Sequence, residues 1–218
     1  MIILIALVCQ LSNAVTLEEP KFAYDREAQI QAGASAFAKT CYSCHSMKYL
    51  RTDDFSLKGG INPENAPAWD SSSWNGHPPP DLSLITAIKG VDYVYSYLRG
   101  YYTDESHPTG YDNIVMPGSQ MPNPFPMLQG KQALVKDQQP DMRLFQALKL
   151  ESRGSMSPQE FNEYVTSIVA YLDYASDPSV FERWRIGPYV LLFLVIMILL
   201  MVALDLAYWH EIHERNRK

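Results

Sequence analysis

The sequence predicts a mainly α protein: one domain of helices joined by long irregular loops, followed by a single C-terminal transmembrane helix. Three observations predict it. Helical periodicity with clear ends runs from Gln29 to Thr40 and again from Ser157 to Asp177. Proline punctuates the stretches between them, where no long helix can run. Ile186 to Leu204 carries no charged residue, a length that fits one bilayer crossing.

In chain order, residues 1–14 come first. Ile2 to Val8 is apolar but too short to span a bilayer, and Ser12-Asn13-Ala14 puts small residues where a signal peptidase reads. Residues 1–14 are therefore read as a signal peptide, although no basic residue precedes the apolar run. Residues 15–183, roughly 170 residues, suffice for one domain with a core. In the Gln29–Thr40 helix, Gly33, Phe37 and Cys41 are four apart and share one stripe. Glycine there lets another helix approach, with Phe37 packing beside it.

Cys41-Tyr42-Ser43-Cys44-His45 follows. C-x-x-C-H is the attachment signature of a c-type haem. Each thiol adds to one vinyl group of a single porphyrin, and the adjacent histidine binds iron from one face. The competing readings are a redox C-x-x-C and half a zinc site. Zinc needs two further soft ligands, and the only other cysteine is Cys9, inside the leader. The helix directly before this run looks like the first helix of a small cytochrome c, so the domain is expected to be a cytochrome c-like haem domain with one covalent haem c.

The stretch 61–80 holds Pro63, Pro67, Pro78, Pro79 and Pro80, and reads as loop. Asp81–Lys89 and Val91–Arg99 read as short helices, each ended by a glycine, Gly90 and Gly100. Pro117, Pro122, Pro124 and Pro126 hold 110–130 as an extended, stiff loop. Ser157-Pro158-Gln159-Glu160 is a capping box with proline at the first helical position. Phe161, Tyr164, Val165, Ile168, Tyr171 and Leu172 form the apolar face of that helix, which is expected to cross the first, and Asp177-Pro178 ends it. The anchor is placed at 184–209, with Trp184 and Tyr189 at one interface and Tyr208 and Trp209 at the other. Asp205 reaches an interface or pairs with a neighbouring subunit. Arg215, Arg217 and Lys218 follow the span, which puts a tail of 210–218 in the cytoplasm and the haem domain in the periplasm of a bacterial inner membrane.

An electron carrier wants a second protein ligand on iron, whereas an open position suggests an enzyme or a gas sensor. Of nine methionines, Met1 is in the leader, Met197 and Met201 are in the anchor, and Met47 is too close to His45 to reach the opposite face. Met142 and Met156 read as packing residues. Met116, Met121 and Met127 remain on the proline-stiffened loop, with His77 and His107 as further candidates. Met121 is favoured because Met121-Pro122-Asn123-Pro124 restricts its backbone.

Taken together, these residues resemble cytochrome c1, the haem c subunit of ubiquinol–cytochrome c oxidoreductase (bc1) complexes, of bacterial type. Cys41 to Met47 resembles the family's attachment segment. Pro79-Pro80-Asp81-Leu82-Ser83 followed by Asp92-Tyr93-Val94-Tyr95 is the most specific match, and Asn113, Pro117-Gly118 and Met121-Pro122 resemble its axial-ligand loop. The resemblance implies His45 and Met121 as iron ligands and Pro80 as a shield for the ring. The family has an arginine pair where Ala87 and Lys89 stand here, so Lys89 is the candidate for a haem propionate, as a point charge without a bidentate fork. The segment from Ser46 to Pro80 is also shorter than in many relatives.

What the resemblance implies is a membrane-anchored electron-transport protein of a respiratory chain. It carries single electrons from a Rieske iron–sulfur protein to a soluble or membrane cytochrome c acceptor, with cytochrome b as a further partner. The chain shows no nucleophile, general base or nucleotide loop, and is not read as an enzyme on its own. Other expectations are a haem c subunit of a terminal oxidase, or an open-site haem enzyme or gas sensor. Net charge is -6, and no nucleic-acid partner is expected. Asp53, Asp54, Glu64, Asp70, Asp104 and Glu105 crowd the loops and could steer a basic carrier.

Overall fold

The computed structural model describes residues 16–50, 53–135 and 144–217. The leader with Cys9, and Met142, lie outside the described residues. The elements run α1 (Arg26–Thr40), α2 (Asp54–Gly59), a 3-10 turn (Pro63–Asn65), α3 (Ser73–Gly76), α4 (Ile85–Lys89), α5 (Val91–Arg99), β1 (Tyr101–Thr103), β2 (Tyr111–Asn113), α6 (Pro126–Gln129), β3 (Gly130–Leu134), a second 3-10 turn (Leu144–Ala147), β4 (Leu148–Arg153), α7 (Pro158–Ser176) and α8 (Val180–Asn216). The mainly α expectation holds. The chain divides into two units, one up to Ser176 and one from Asp177.

The frame of the first unit is the crossing of α1 and α7. Asp25 caps α1 by accepting from the Ala28 N–H at 3.0 Å. Ser157 Oγ accepts from the Glu160 N–H at 3.3 Å, and the Glu160 carboxylate accepts from the Ser157 N–H at 2.8 Å, which is the reciprocal capping box. Gly33 sits where the helices touch: a Cβ there would lie 1.8 Å from the Ser167 carbonyl oxygen. Phe37 packs on Tyr171 with ring centroids 5.6 Å apart, so the Gly33–Phe37 stripe is the contact face. Ile30, Ala34, Phe37, Val165, Ile168, Val169 and Tyr171 are all fully buried around it. Each of the large ones stabilises by about 1.5–3 kcal/mol relative to exposure, which makes this crossing the main source of rigidity near the end of α1.

The helix expected from Asp81 begins at Ile85 instead. The Asp81 carboxylate accepts from the Ser83 N–H at 3.0 Å, a local turn that competes with helix. Helix α4 is tied to α7 by Thr86 Oγ1, 3.2 Å from the Leu172 carbonyl and 2.8 Å from the Ser176 hydroxyl. Gly90 ends α4 with φ +88, but Gly100 has φ -82 and serves close packing: a Cβ would lie 2.9 Å from the Ser96 carbonyl oxygen.

Two antiparallel pairs occupy stretches read from sequence as loop. β1 pairs with β2 from Tyr101↔Asn113 to Thr103↔Tyr111. β3 pairs with β4 from Gly130↔Arg153 to Leu134↔Leu148, with an irregularity between Lys131 and Gln132. Between 61 and 80 only a three-residue 3-10 turn and the four-residue α3 form, as the prolines require.

The second unit is α8 and the residues before it. Arg183 grips Asp177 with both guanidinium nitrogens. Hydrogen bonds from Arg183 and Ser179 hold the Asp177 carboxyl down to about 2. The 37 residues of α8 rise roughly 55 Å, more than the roughly 30 Å of a hydrocarbon core. Its most apolar 18-residue window has a mean hydropathy of 3.0, and none of that window is buried. A helix apolar all round and uncovered suits lipid rather than water. Asp205 accepts from the Trp209 indole N–H at 3.1 Å, one turn nearer the C-terminal end.

Candidate functional site

The attachment run continues directly from α1. The Cys41 N–H donates to the Phe37 carbonyl at 2.8 Å, and the Cys44 and His45 N–H groups both return to the Cys41 carbonyl, at 3.1 and 2.9 Å. The five residues are thus wound into one turn, with Cys41 buried, Cys44 half-buried and His45 only 7 % exposed. Burial pushes the Cys41 thiol up to about 11, against a weaker opposing hydrogen bond with Thr40. A thiol that stays protonated at neutral pH is a poor redox nucleophile. Among the described residues no three His, Cys, Asp or Glu side chains converge as ligands of one small ion.

His45 Nδ1 lies 2.8 Å from the Pro80 carbonyl oxygen. A carbonyl only accepts, so Nδ1 carries the proton and Nε2 keeps a lone pair. Among the described residues the hydrogen bond of the His45 ring is the one made by Nδ1. Burial lowers the His45 pKa, against opposing effects of Pro80 and Asp81, so the imidazole is neutral at pH 7. This is how an iron-ligating histidine is oriented from its second nitrogen.

The segment that supplies the carbonyl is itself clamped. The Asp81 carboxylate accepts from Ser46 Oγ at 2.7 Å and from the Lys48 N–H at 2.7 Å, as well as from Ser83. The Leu82 N–H donates to the Ser46 carbonyl at 3.0 Å, and the Tyr49 N–H to Ser83 Oγ at 3.1 Å. Burial raises the Asp81 pKa, but bonds from Ser83, Lys48 and Ser46 outweigh it and the net shift is downward. Pro80 therefore reaches His45 through its carbonyl, a contact the sequence reading did not foresee. The run of prolines just before Asp81, 35 residues from His45, was its signal. The Trp69 indole N–H adds a bond to the Cys44 carbonyl at 2.7 Å.

Met121 is on a different segment. It is half-buried and packs on the same apolar cluster that includes Cys41 and Met47. Tyr93, Tyr97 and Tyr101, at four-residue steps, hold its loop. Tyr93 donates to Met116 Sδ at 3.6 Å, Tyr97 Oη lies 2.6 Å from Ser119 Oγ, and Tyr101 Oη lies 2.9 Å from Tyr97 Oη and 3.3 Å from the Met121 carbonyl oxygen. Asn113, fully buried, accepts from the Val115 N–H at 2.9 Å and donates to the Tyr97 carbonyl at 2.8 Å. Of the other candidates, Met116 and Met127 are 48 % and 82 % exposed. His107 Nδ1 is 2.9 Å from Thr109 Oγ1, and His77 is exposed. Lys89 is exposed on α4 with Nζ 5.5 Å from the Tyr93 ring centroid; among the described residues no contact joins it to His45 or Met121.

The donor set fits a covalently tethered iron porphyrin. It offers two thiols on one turn, a neutral imidazole whose Nε2 keeps its lone pair, and a half-buried thioether on a restrained loop.

The sequence profile of the Cytochrome C1 family matches residues 62–212. The chain is 34 % identical over 209 residues to cytochrome c1 of Allochromatium vinosum, covering 86 % of each chain. It is 30 % identical over 207 residues to a protein of Nitrosomonas europaea named ammonia monooxygenase gamma subunit, covering 87 % of this chain and 85 % of that one. Cytochrome c1 of Rhodospirillum rubrum is 23 % identical over 246 residues, covering 87 % and 83 %. With this extent of match and the single apolar anchor helix, the chain belongs to the cytochrome c1 family, membrane-anchored c-type cytochromes of electron transfer that carry one covalently bound haem c.

Proposed function

We propose that this chain is the electron-exit subunit of a quinol:cytochrome c oxidoreductase. It takes single electrons from a Rieske iron–sulfur protein and passes them to a cytochrome c, with cytochrome b beside it in the membrane. Cys41 and Cys44 tether the porphyrin, and His45 Nε2 and Met121 Sδ ligate its iron. Pro80 orients His45, and Lys89 is the candidate point charge for a propionate. When bound, haem c supplies a one-electron ferric–ferrous couple. The polypeptide supplies the two ligands, the dielectric around them and the position relative to partners. A thioether ligand beside the imidazole would favour the ferrous state.

The observation that carries this reading is the His45–Pro80 hydrogen bond. The Pro-Pro-Asp-Leu-Ser segment, which sets this family apart from generic cytochromes c, is the segment that orients the histidine. In the same reading residues 1–14 are a signal peptide. Residues 15–183 lie in the periplasm of a bacterial inner membrane, 184–209 cross it, and 210–218 face the cytoplasm. Arg215, Arg217 and Lys218 beyond the span support that orientation.

The relative from Nitrosomonas europaea gives a second reading, a haem c subunit attached to a monooxygenase. Mild-detergent purification separates the two. Co-purification of cytochrome b and a Rieske protein, with quinol-dependent reduction of the haem, is the expected result. Recovery without both overturns the assignment to this complex, and recovery with monooxygenase subunits favours the second reading.

A further inference from the structure

We infer that residues 18–23 act as a strap between the helix that leads into the attachment turn and the helix end that carries the Met121 loop, with Ser96 and Glu18 as positioning residues for the thioether. The inference rests on the proposed ligation of iron by His45 and Met121.

The Met121 loop is closed on one helix end. At its start the Asn113 side chain donates to the Tyr97 carbonyl at 2.8 Å, and the Ile114 N–H to the Gly100 carbonyl at 3.0 Å. At its far end the side-chain amides of Gln129 and Gln132 both donate to the Arg99 carbonyl at 3.1 Å. The last carbonyls of a helix lack α-helical partners within it, and here the loop supplies them. The chain from Asn113 to Gln132 thus starts and finishes on the last turn of α5, with Met121 between, and a shift of that turn moves both ends of the loop.

The strap grips the same turn. Ser96, fully buried there, accepts from the Glu18 N–H at 2.9 Å, and its hydroxyl donates to the Glu18 carbonyl at 3.4 Å. Glu18 Oε2 lies 3.7 Å from Arg99 Nη1, a long ion pair that adds to the clip, and Arg99 is itself held by the Tyr95 hydroxyl at 2.8 Å. The other end of the strap holds α1. The Ala23 N–H donates to Gln29 Oε1 at 3.0 Å, and the Arg26 guanidinium carbon lies 3.4 Å from the centroid of the Phe22 ring. Pro20, between the two grips, is buried. Glu18 and Ala23 are five residues apart, so the strap reaches no more than roughly 18 Å. A tether fixed at both ends limits how far α1 and the last turn of α5 can part. The one leads to Cys41, Cys44 and His45, and the other carries Met121.

The test uses the full-length, haem-loaded protein in detergent. Carbon monoxide takes the iron position that Met121 leaves, so its rate of binding to the reduced protein counts openings of the loop, and the midpoint potential follows the thioether. Ser96→Ala removes the clip from the helix side. Glu18→Pro removes the N–H and the carboxylate from the strap side. Each is expected to speed carbon monoxide binding about fivefold, as loss of a net hydrogen bond implies, and to lower the midpoint potential. Ser56→Ala is the control. It cuts buried hydroxyl bonds to Asp53 and Tyr171, at 2.7 and 3.0 Å, and is expected to lower the melting temperature with carbon monoxide binding and potential unchanged. If Ser96→Ala does not accumulate, Glu18→Pro decides. In a wild type closed to carbon monoxide, a change of less than about twofold in Glu18→Pro overturns the strap, and so does an equal rise in Ser56→Ala. A wild type that binds carbon monoxide freely overturns Met121 as the ligand, and the role of the strap with it.

Discussion

The two sides of the proposed iron site are held by different chemistry. His45 sits in the turn that ends α1, and the segment orienting it is fixed by one carboxylate, Asp81, which accepts three bonds of 2.7 to 3.0 Å. Met121 rests on proline restraint and on neutral hydroxyls, the contact to its own carbonyl being 3.3 Å long. Hydrogen bonds to an ionised acceptor are about twice as strong as neutral ones. The histidine side therefore depends on a charge, and the methionine side on many weak contacts. Acid should loosen the first, and loss of single hydroxyls the second.

The largest effect expected is from His45→Ala, which removes the proposed ligand. Chains extracted from membranes should lose the low-spin visible spectrum, and an unchanged spectrum would remove His45 from the comparison. Met121→Leu should keep covalent haem but let the reduced protein bind carbon monoxide at neutral pH, with a lower midpoint potential. If no carbon monoxide binds, the second ligand is another residue. Asp81→Asn should destabilise by about 1–2 kcal/mol, held low because the group is half-exposed and solvent-screened. The folded pKa of Asp81 lies below its ordinary 3.8. Its contribution is thus complete above that value and lost as pH falls through the lower folded value. Thermal melts from pH 6 downward should show this acid loss in the wild type and less of it in Asp81→Asn. Tyr101→Phe should have the smallest effect, about 1 kcal/mol in urea unfolding, with slight carbon monoxide binding. Binding as complete as in Met121→Leu would show that the neutral ladder is as decisive as the charge.

Much of the frame was legible because it is local. The capping box at Ser157, the glycine stripe through Gly33 and the uncharged run at 186–204 each declare themselves within a few residues. So does the C-x-x-C-H run. What escaped depends on partners distant in sequence. Strands of three to six residues carry no reliable alternation, so β1 to β4 were hidden in loops. The start of α4 was misplaced because Asp81 makes a local turn with Ser83 and is held there by Ser46 and Lys48 of another segment. The carbonyl of Pro80 and the indole of Trp69 reach the attachment turn from 35 and 25 residues away, which no periodicity reports. The tyrosines at 93, 97 and 101 recur at four-residue steps, but that spacing does not announce them as the support of the loop at 116–121.

Gly33 and Cys41 are eight residues apart on one helical rod, roughly 12 Å along its axis. The middle of that rod is pinned at Gly33 by backbone contact with no room for even a methyl group. The tilt of the rod is thus set at its middle and carried to its end, where the proposed attachment turn begins. A carbon atom added at Gly33 would be felt at that turn as a change of colour and voltage.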